Sequence, residues 1–216
     1  MAFNETGSEV SKTPETHKLD FDADKLIGID TKESKPEVAS NANPGAVDPD
    51  KLIEPAQREY RDDNGEVYRT GDNLEPNNKY EVNGYVYETD SRGRITSAEG
   101  WLHIDETPRK EISSSMESIG KGDQREGDQR GHLIADRFGG SNGLENIVAM
   151  NGEVNQRDYK AIESECAKGL ESGKEVYMKV VPKYDGDSNR PSAFRVIYTI
   201  DGEKSVKTLK NEGSVK

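Results

Sequence analysis

The segment of residues 127–135 (Gly-Asp-Gln-Arg-Gly-His-Leu-Ile-Ala) brings together side chains that could act on a phosphate. Arg130 carries a permanent guanidinium charge that can bridge phosphate oxygens, and His132 carries an imidazole that can take a proton from water near neutral pH. Gly131 between them adds no side-chain bulk, so an anionic substrate can approach closely. The segment therefore indicates either phosphate chemistry or a surface histidine in a glycine-rich loop.

A second group of polar residues follows about twenty positions later. Asn155 and Glu163 are eight residues apart, so on a helix they lie two turns apart and near one face. Asn151 could share that face if the helix began early enough. Amide and carboxylate oxygens facing a histidine suit a hard cation such as Mg²⁺, which retains several waters. The alternative is a helix cap at Asn151 followed by a solvated charged face.

These residues in this order resemble a known family. Arg130-Gly131-His132, Asn146, Asn155 and Glu163 look like the motif of the DNA/RNA non-specific endonucleases of the ββα-metal (His-Me finger) superfamily, most closely the branch found as C-terminal domains of bacterial secreted polymorphic toxins. The resemblance covers residues 76–202. It implies an α+β fold in which a ββα-metal nuclease core accompanies a central antiparallel sheet.

The resemblance also implies a role for each motif residue. His132 is expected to be the general base that deprotonates the attacking water. Asn155 is expected to bind one Mg²⁺ directly, with Mn²⁺ as a substitute, and Glu163 to hold the water shell of that ion. Arg130 is expected to bind the scissile phosphate and stabilise its growing negative charge.

Other arginines could extend the substrate contact. Arg94 and Arg190 are the two that we predict to bind the phosphate backbone, although a solvated role fits each of them as well. Contacts limited to the backbone carry no base code, so the expected activity is non-specific cleavage of DNA and also of RNA.

One departure from the family motif leaves a different function open. The family commonly has Asp immediately before Arg-Gly-His, whereas this chain has Gln129, with Asp128 one position earlier. The tetrapeptide Gly-Asp-Gln-Arg also occurs twice, at residues 122–125 and 127–130, and only the second copy is followed by Gly-His. A neutral residue at this position is compatible with a catalytically weakened binding or adaptor module.

Secondary-structure patterns divide the chain into two parts. Residues 1–70 include a proline-rich polar stretch without sustained periodicity, which predicts a disordered acidic linker or adaptor. Order is expected from about Leu74, and residues 71–216 form the predicted endonuclease domain. Within it we predict a β-meander around the Asn83-Gly84 turn, a helix over residues 154–170, and strands over residues 175–184 and 193–200.

Composition sets the remaining limits. The formal charge is −12, and residues 1–70 contribute −7 of it, so the bulk charge argues against a nucleic-acid partner while the motif argues for one. We therefore expect modest affinity that weakens steeply with salt. The single cysteine, Cys166, excludes an internal disulfide and a thiolate zinc cluster, and we interpret it as a small core residue.

The sequence also bears on partners and location. No stretch is apolar enough to span a membrane, so we expect no membrane partner, and the N-terminus lacks the features of an ordinary signal peptide. A nuclease behind a disordered leader fits an effector delivered to target cells by a specialised system, with a cognate immunity protein as a partner. Nutrient scavenging or DNA uptake is the alternative role.

Overall fold

The computed structural model describes residues 57–107, 111–112 and 114–213. These residues fall within one compact unit, and their fold is α+β with a central antiparallel sheet, as predicted. The sequence predicted disorder for residues 1–70, and residues 1–56 of that segment lie outside the described residues.

The described part of the chain contains the following strands: β1 (Glu59–Arg61), β2 (Val67–Thr70), β3 (Asn73–Leu74), β4 (Lys79–Val82), β5 (Tyr85–Thr89), β6 (Ile95–Trp101), β7 (Asp128–His132), β8 (Ile147–Asn151), β9 (Val176–Lys183), β10 (Ala193–Ile200) and β11 (Glu203–Lys210). The helices are α1 (Met116–Gly120), a 3₁₀ turn (Asp136–Phe138), and a π-helical segment (Val154–Tyr159) that continues directly into α2 (Lys160–Glu171). None of these helices combines the length and the apolar character needed to cross a bilayer.

The main sheet has six antiparallel strands in the order β11-β10-β9-β6-β5-β4. Asn83 and Gly84 link β4 to β5 with φ angles of 56° and 74°, which is the left-handed geometry of the predicted two-residue hairpin turn. Along β5 the residues alternate, so that Tyr85 and Tyr87 are fully buried while Val86 is half-buried. One face of the sheet therefore supports the core, as a period of two requires.

A second layer covers that buried face. Strands β7 and β8 pair antiparallel, and the helical region of residues 154–171 follows them in the chain. The layer therefore consists of two strands and a helix. Tyr159 connects the helix to the end of β7, because its hydroxyl donates to the Leu133 carbonyl at 2.7 Å. Its ring also packs in an edge-on arrangement with Phe194 of the main sheet, with 6.1 Å between centroids. The predicted helix over residues 154–170 is present.

Order begins earlier than the predicted boundary at residue 70. Strands β1 and β2 pair with each other, and Tyr68 on β2 is buried and stacks on Tyr80 with 4.7 Å between ring centroids. The short strands flank a polar turn at residues 62–65, so no long apolar alternation marks them in the sequence. The described residues 57–70 thus belong to the folded unit and differ from the linker prediction.

Cys166 lies on the buried side of α2 and is fully enclosed. Burial raises the pKa of its thiol to about 12, and the nearby Glu165 and Glu163 carboxylates add to that shift. Since the thiolate is the reactive form, we expect the native protein to resist alkylation by iodoacetamide at pH 8 and to react once it is unfolded in urea.

The control for this prediction uses an exposed position on the same helix. Ala161→Cys in a Cys166→Ala background should be alkylated rapidly in the native state, because residue 161 is exposed. Mass spectrometry follows both reactions. Equal labelling rates for the two thiols would contradict the buried placement of Cys166.

Candidate active site

A polar cavity of about 400 Å³ opens beside the strand–strand–helix layer. Four of its lining residues are ones that the motif singled out. The full lining consists of Asp105, Thr107, Arg130, His132, Ala135, Asp136, Arg137, Asn155 and Glu163. The fold thus brings residues 130, 132, 155 and 163 to one place, although 33 positions separate the first from the last.

Strand β7 determines the placement of Arg130 and His132. Side chains two positions apart on a strand point to the same face, so both can reach the cavity. Gly131 between them faces β8, where an added Cβ would lie 2.6 Å from the Cβ of Met150. The glycine is therefore required by close packing against Met150, a reason that the sequence alone did not indicate.

Hydrogen bonds define the tautomer of His132. Its Nε2 lies 2.7 Å from Oδ1 of Asn142, and Nδ2 of Asn142 donates to Oδ1 of Asp136 at 2.9 Å. Because the amide oxygen can only accept, Nε2 must carry the proton in the neutral ring. The basic lone pair of the imidazole is therefore on Nδ1, and the Asp136–Asn142 pair holds the ring from the opposite edge.

Backbone carbonyl groups hold the Arg130 side chain. Its Nη1 donates to the carbonyl of Ile112 at 2.8 Å and to that of Ser114 at 3.3 Å. The side chain remains exposed at the cavity edge. A guanidinium has five N–H donors, so these two contacts leave donors available for a phosphate.

The π-helical segment aligns Asn155 with Glu163. In a regular α-helix, residues eight apart differ by about 80° around the axis. A π turn closes with i→i+5 bonds and takes up one extra residue, so the pair behaves as if it were seven apart, with an offset of about 20°. Both side chains consequently line the same cavity.

Two other asparagines of this region have structural contacts. Asn151 caps the helix, since its Oδ1 accepts from the backbone N–H of Glu153 at 3.0 Å and of Val154 at 3.4 Å. Asn146 is fully buried and bonds both the N–H and the carbonyl of Ile134, at 2.8 and 2.7 Å. The cap that the sequence offered as an alternative for Asn151 is therefore its observed contact.

The cavity offers oxygen atoms to a cation. Asn155 is half-buried and its Nδ2 donates to Oε1 of Gln129 at 3.0 Å, which leaves the amide oxygen as the only ligand atom of this side chain. Glu163 adds a carboxylate. Within the described ranges no three His, Cys, Asp or Glu residues are grouped as metal ligands. This donor set fits a hard cation that keeps most of its water shell, such as Mg²⁺.

Comparison with known proteins gives the family. Residues 76–202 match the family model described as DNA/RNA non-specific endonuclease. This range contains every residue that lines the polar cavity. The chain belongs to the DNA/RNA non-specific endonuclease family. The chain is also 36% identical over 139 residues to the type VII secretion system protein EssD of Staphylococcus aureus strain USA300, an alignment that covers 60% of this chain and 22% of EssD.

Solved structures support the same fold. NucA from Streptococcus agalactiae with a magnesium ion bound is 17% identical, with a TM-score of 0.53 over 66% of this chain and 76% of that chain. The form of NucA with no metal bound gives 16% identity and a TM-score of 0.50 over 63% and 84%. The predicted ββα-metal nuclease fold is confirmed. The chain spans about a fifth of the length of EssD in this alignment.

Arg94 and Arg190, which the sequence predicted to bind the phosphate backbone, have partners within the protein. Arg94 donates Nε to the Asp90 carboxylate at 2.8 Å and Nη1 to the carbonyls of Gly186 and Ser188. Arg190 is buried and forms a two-point ion pair with Asp128 at 2.7 and 2.8 Å. Neither residue is among those that line the polar cavity, so their role in substrate binding stays a prediction.

The Arg190–Asp128 pair anchors the start of β7, so its loss should destabilise the domain. We expect Arg190→Ala to lower the free energy of unfolding by about 3–5 kcal/mol, because Asp128 would remain as a buried charge without its partner. Urea denaturation measures this change. Arg92→Ala is the control, because Arg92 pairs with Asp187 at an exposed site, where a salt bridge contributes about 1 kcal/mol or less. Equal losses would contradict the structural role of Arg190.

Sequence reasoning missed several residues of the site. Arg137 is exposed on the cavity wall and adds a positive charge near Arg130, and Asp136 and Asn142 hold His132. Asp136 and Arg137 come directly after His132-Leu-Ile-Ala, so their proximity to the histidine was a usable signal. Asn142 carried no such signal, because its contact depends on the path of the loop.

Proposed function

We propose that this domain is a Mg²⁺-dependent nuclease that hydrolyses phosphodiester bonds of DNA and RNA without sequence preference, with His132 as the general base. The observation that carries the proposal is the shared cavity of Arg130, His132, Asn155 and Glu163 in a chain of the non-specific endonuclease family. The hydrogen bond from His132 to Asn142 supports the role of the histidine, because it leaves Nδ1 as the basic atom.

In the proposed mechanism each side chain has a separate task. His132 accepts a proton at Nδ1 from the attacking water, and Asn142 keeps the ring oriented while positive charge develops on it. Arg130 donates hydrogen bonds to the non-bridging oxygens of the phosphate, which gain negative charge in the transition state. Arg137 lies on the same cavity and can contact a neighbouring phosphate.

A divalent cation completes the proposed site. Asn155 would bind it through Oδ1, and Glu163 would hold the surrounding water through its carboxylate. When bound, the ion supplies positive charge to the phosphate oxygens and to the leaving 3′-oxygen. Arg130 and Arg137 provide further positive charge in a protein whose net charge is −12.

Plasmid cleavage by the purified chain tests this function. We expect supercoiled plasmid and single-stranded RNA to be degraded in Mg²⁺ buffer, with 5′-phosphate ends that a ligase accepts without prior phosphorylation. Sequencing of the ends should reveal no consensus. Intact plasmid and RNA after prolonged incubation would favour the second candidate, an adaptor module of this fold, for which the neutral Gln129 is the motivating observation.

For the biological role we infer a toxic effector that a specialised secretion system delivers, with a cognate immunity protein as its inhibitor. The support is the 36% identity to EssD, whose name assigns it to a type VII secretion system. Expression in the bacterial cytoplasm should arrest growth, and His132→Ala or co-expression of the adjacent reading frame should relieve the arrest. Normal growth with active nuclease in the cytoplasm would favour nutrient scavenging instead.

A further inference from the structure

Gln129 contacts the proposed cation ligand directly, from outside the cavity. Its Oε1 accepts a hydrogen bond from Nδ2 of Asn155 at 3.0 Å, and Gln129 is not among the residues that line the cavity. We propose that Gln129 is a positioning residue that decides which atom of the Asn155 amide faces the cation, and that its neutral side chain sets the affinity for that cation. This inference rests on the proposed function, in which Asn155 is the protein ligand.

An asparagine needs such a partner because the two ends of its amide differ. Only the oxygen can bind a cation, while the NH₂ group would present hydrogens to it. A half-turn about the last side-chain bond exchanges the two ends at little steric cost. The acceptor Oε1 of Gln129 favours the orientation in which Nδ2 faces Gln129, and this leaves Oδ1 as the atom that a cation would bind.

The backbone places Gln129 for this contact. It lies on β7 between Asp128, which is anchored by Arg190, and Arg130, and it pairs with Met150 on β8. Side chains alternate along a strand, so Gln129 projects to the face opposite that of Arg130. It therefore supports Asn155 from behind, without occupying the space that a phosphate would need.

The neutral charge of Gln129 has a separate consequence. A carboxylate at this position could accept the same hydrogen bond and would also attract the cation through its negative charge. Gln129 accepts the hydrogen bond that orients Asn155 but carries no negative charge. We therefore expect the site to bind the cation more weakly than it would with an acidic residue at position 129. Glutamate has the same length as glutamine, and Gln129→Glu therefore tests the charge without altering the reach.

The experiment measures Mn²⁺ binding by electron paramagnetic resonance, with the full chain and without nucleic acid. For Gln129→Leu we expect the Kd to rise about 10–100-fold, the usual effect of removing a residue that orients a metal ligand. For Gln129→Glu we expect the Kd to fall. At saturating Mn²⁺ the cleavage rate of Gln129→Leu should stay within about tenfold of the wild type, because His132 and Arg130 are unchanged.

A double-mutant cycle separates orientation from a purely structural role. Asn155→Asp replaces the amide by a carboxylate, in which both ends are oxygen and orientation no longer matters. In that background Gln129→Leu should have little effect on the Kd for Mn²⁺. An equal increase in the Kd in both backgrounds would overturn the orientation argument.

The matched control uses the other copy of Gly-Asp-Gln-Arg. Gln124 accepts from the backbone N–H of Gly122 at 2.9 Å and does not line the cavity, so Gln124→Leu should leave the Kd unchanged. A wild-type Kd for Gln129→Leu in a chain that binds Mn²⁺ and cleaves plasmid would overturn this inference alone. A wild-type chain that binds no Mn²⁺ would overturn the proposed metal site and this inference together.

Discussion

Replacement of His132 by alanine is expected to lower the rate of plasmid cleavage by about 10²–10⁴-fold, the range over which a positioned base contributes. The expectation follows from the hydrogen bond at Nε2, which leaves Nδ1 as the basic ring atom of a histidine that lines the cavity. The rate should be measured at saturating Mg²⁺, so that any change in cation binding does not contribute. Circular dichroism should be unchanged, because the side chain is packed at the cavity wall rather than in the main core.

His103 offers the matched control. It is exposed, stacks on Tyr85 with 6.0 Å between ring centroids, and does not line the cavity. His103→Ala should therefore cleave plasmid at close to the wild-type rate. The assignment of the base to His132 would fail if His132→Ala retained full activity, or if both histidine variants lost activity to the same extent.

Removal of the cation is expected to have an effect of similar size. Excess EDTA should stop cleavage, and added Mg²⁺ should restore it, because the cation supplies several kcal/mol of charge stabilisation in the transition state. Asn155→Ala should lower the rate at fixed Mg²⁺ by about 10²–10⁴-fold and raise the Mg²⁺ concentration for half-maximal activity. Titration of the cleavage rate with Mg²⁺ measures both effects.

Asn151→Ala distinguishes loss of the ligand from damage to the helix. Asn151 caps the helix that carries Asn155, so its replacement should cost about 1 kcal/mol of stability while the Mg²⁺ requirement stays the same. Cleavage that continues in EDTA would remove the metal from the proposal. A matching loss of Mg²⁺ affinity in Asn151→Ala would assign the effect to helix stability.

The sequence was sufficient to predict the parts of the fold that local patterns encode. The Asn83-Gly84 turn, the boundaries of β10 and the helix that carries Asn155 agree with the structure, because each depends on neighbouring residues. The early strands of residues 57–70 were missed for the same reason. They are short, and the burial of Tyr68 depends on stacking with Tyr80, twelve positions away.

The sequence predicted four residues that line one cavity, but it did not predict the contacts of the predicted site residues. Arg190 and Arg130 look alike in the sequence. In the structure, Arg190 pairs with the buried Asp128 carboxylate 62 residues away, whereas Arg130 donates to the backbone carbonyl of Ile112. Residue type cannot report such a pairing. Gln129 could be recognised as unusual from the sequence, whereas its contact with Asn155 required the packing of helix against strand.

The π-helical segment also bears on which changes in chain length the site can tolerate. Because that segment holds one residue more than an α-helical path needs, deletion of the exposed Gln156 would let the backbone close into regular α-helix with Asn155 and Glu163 still in phase. An insertion at the same point could not be absorbed in this way, and it would rotate Glu163 away from Asn155 by about 100° around the helix axis. Relatives that differ here by a missing residue could therefore keep the site, and alignments of the family should allow a gap within this helix.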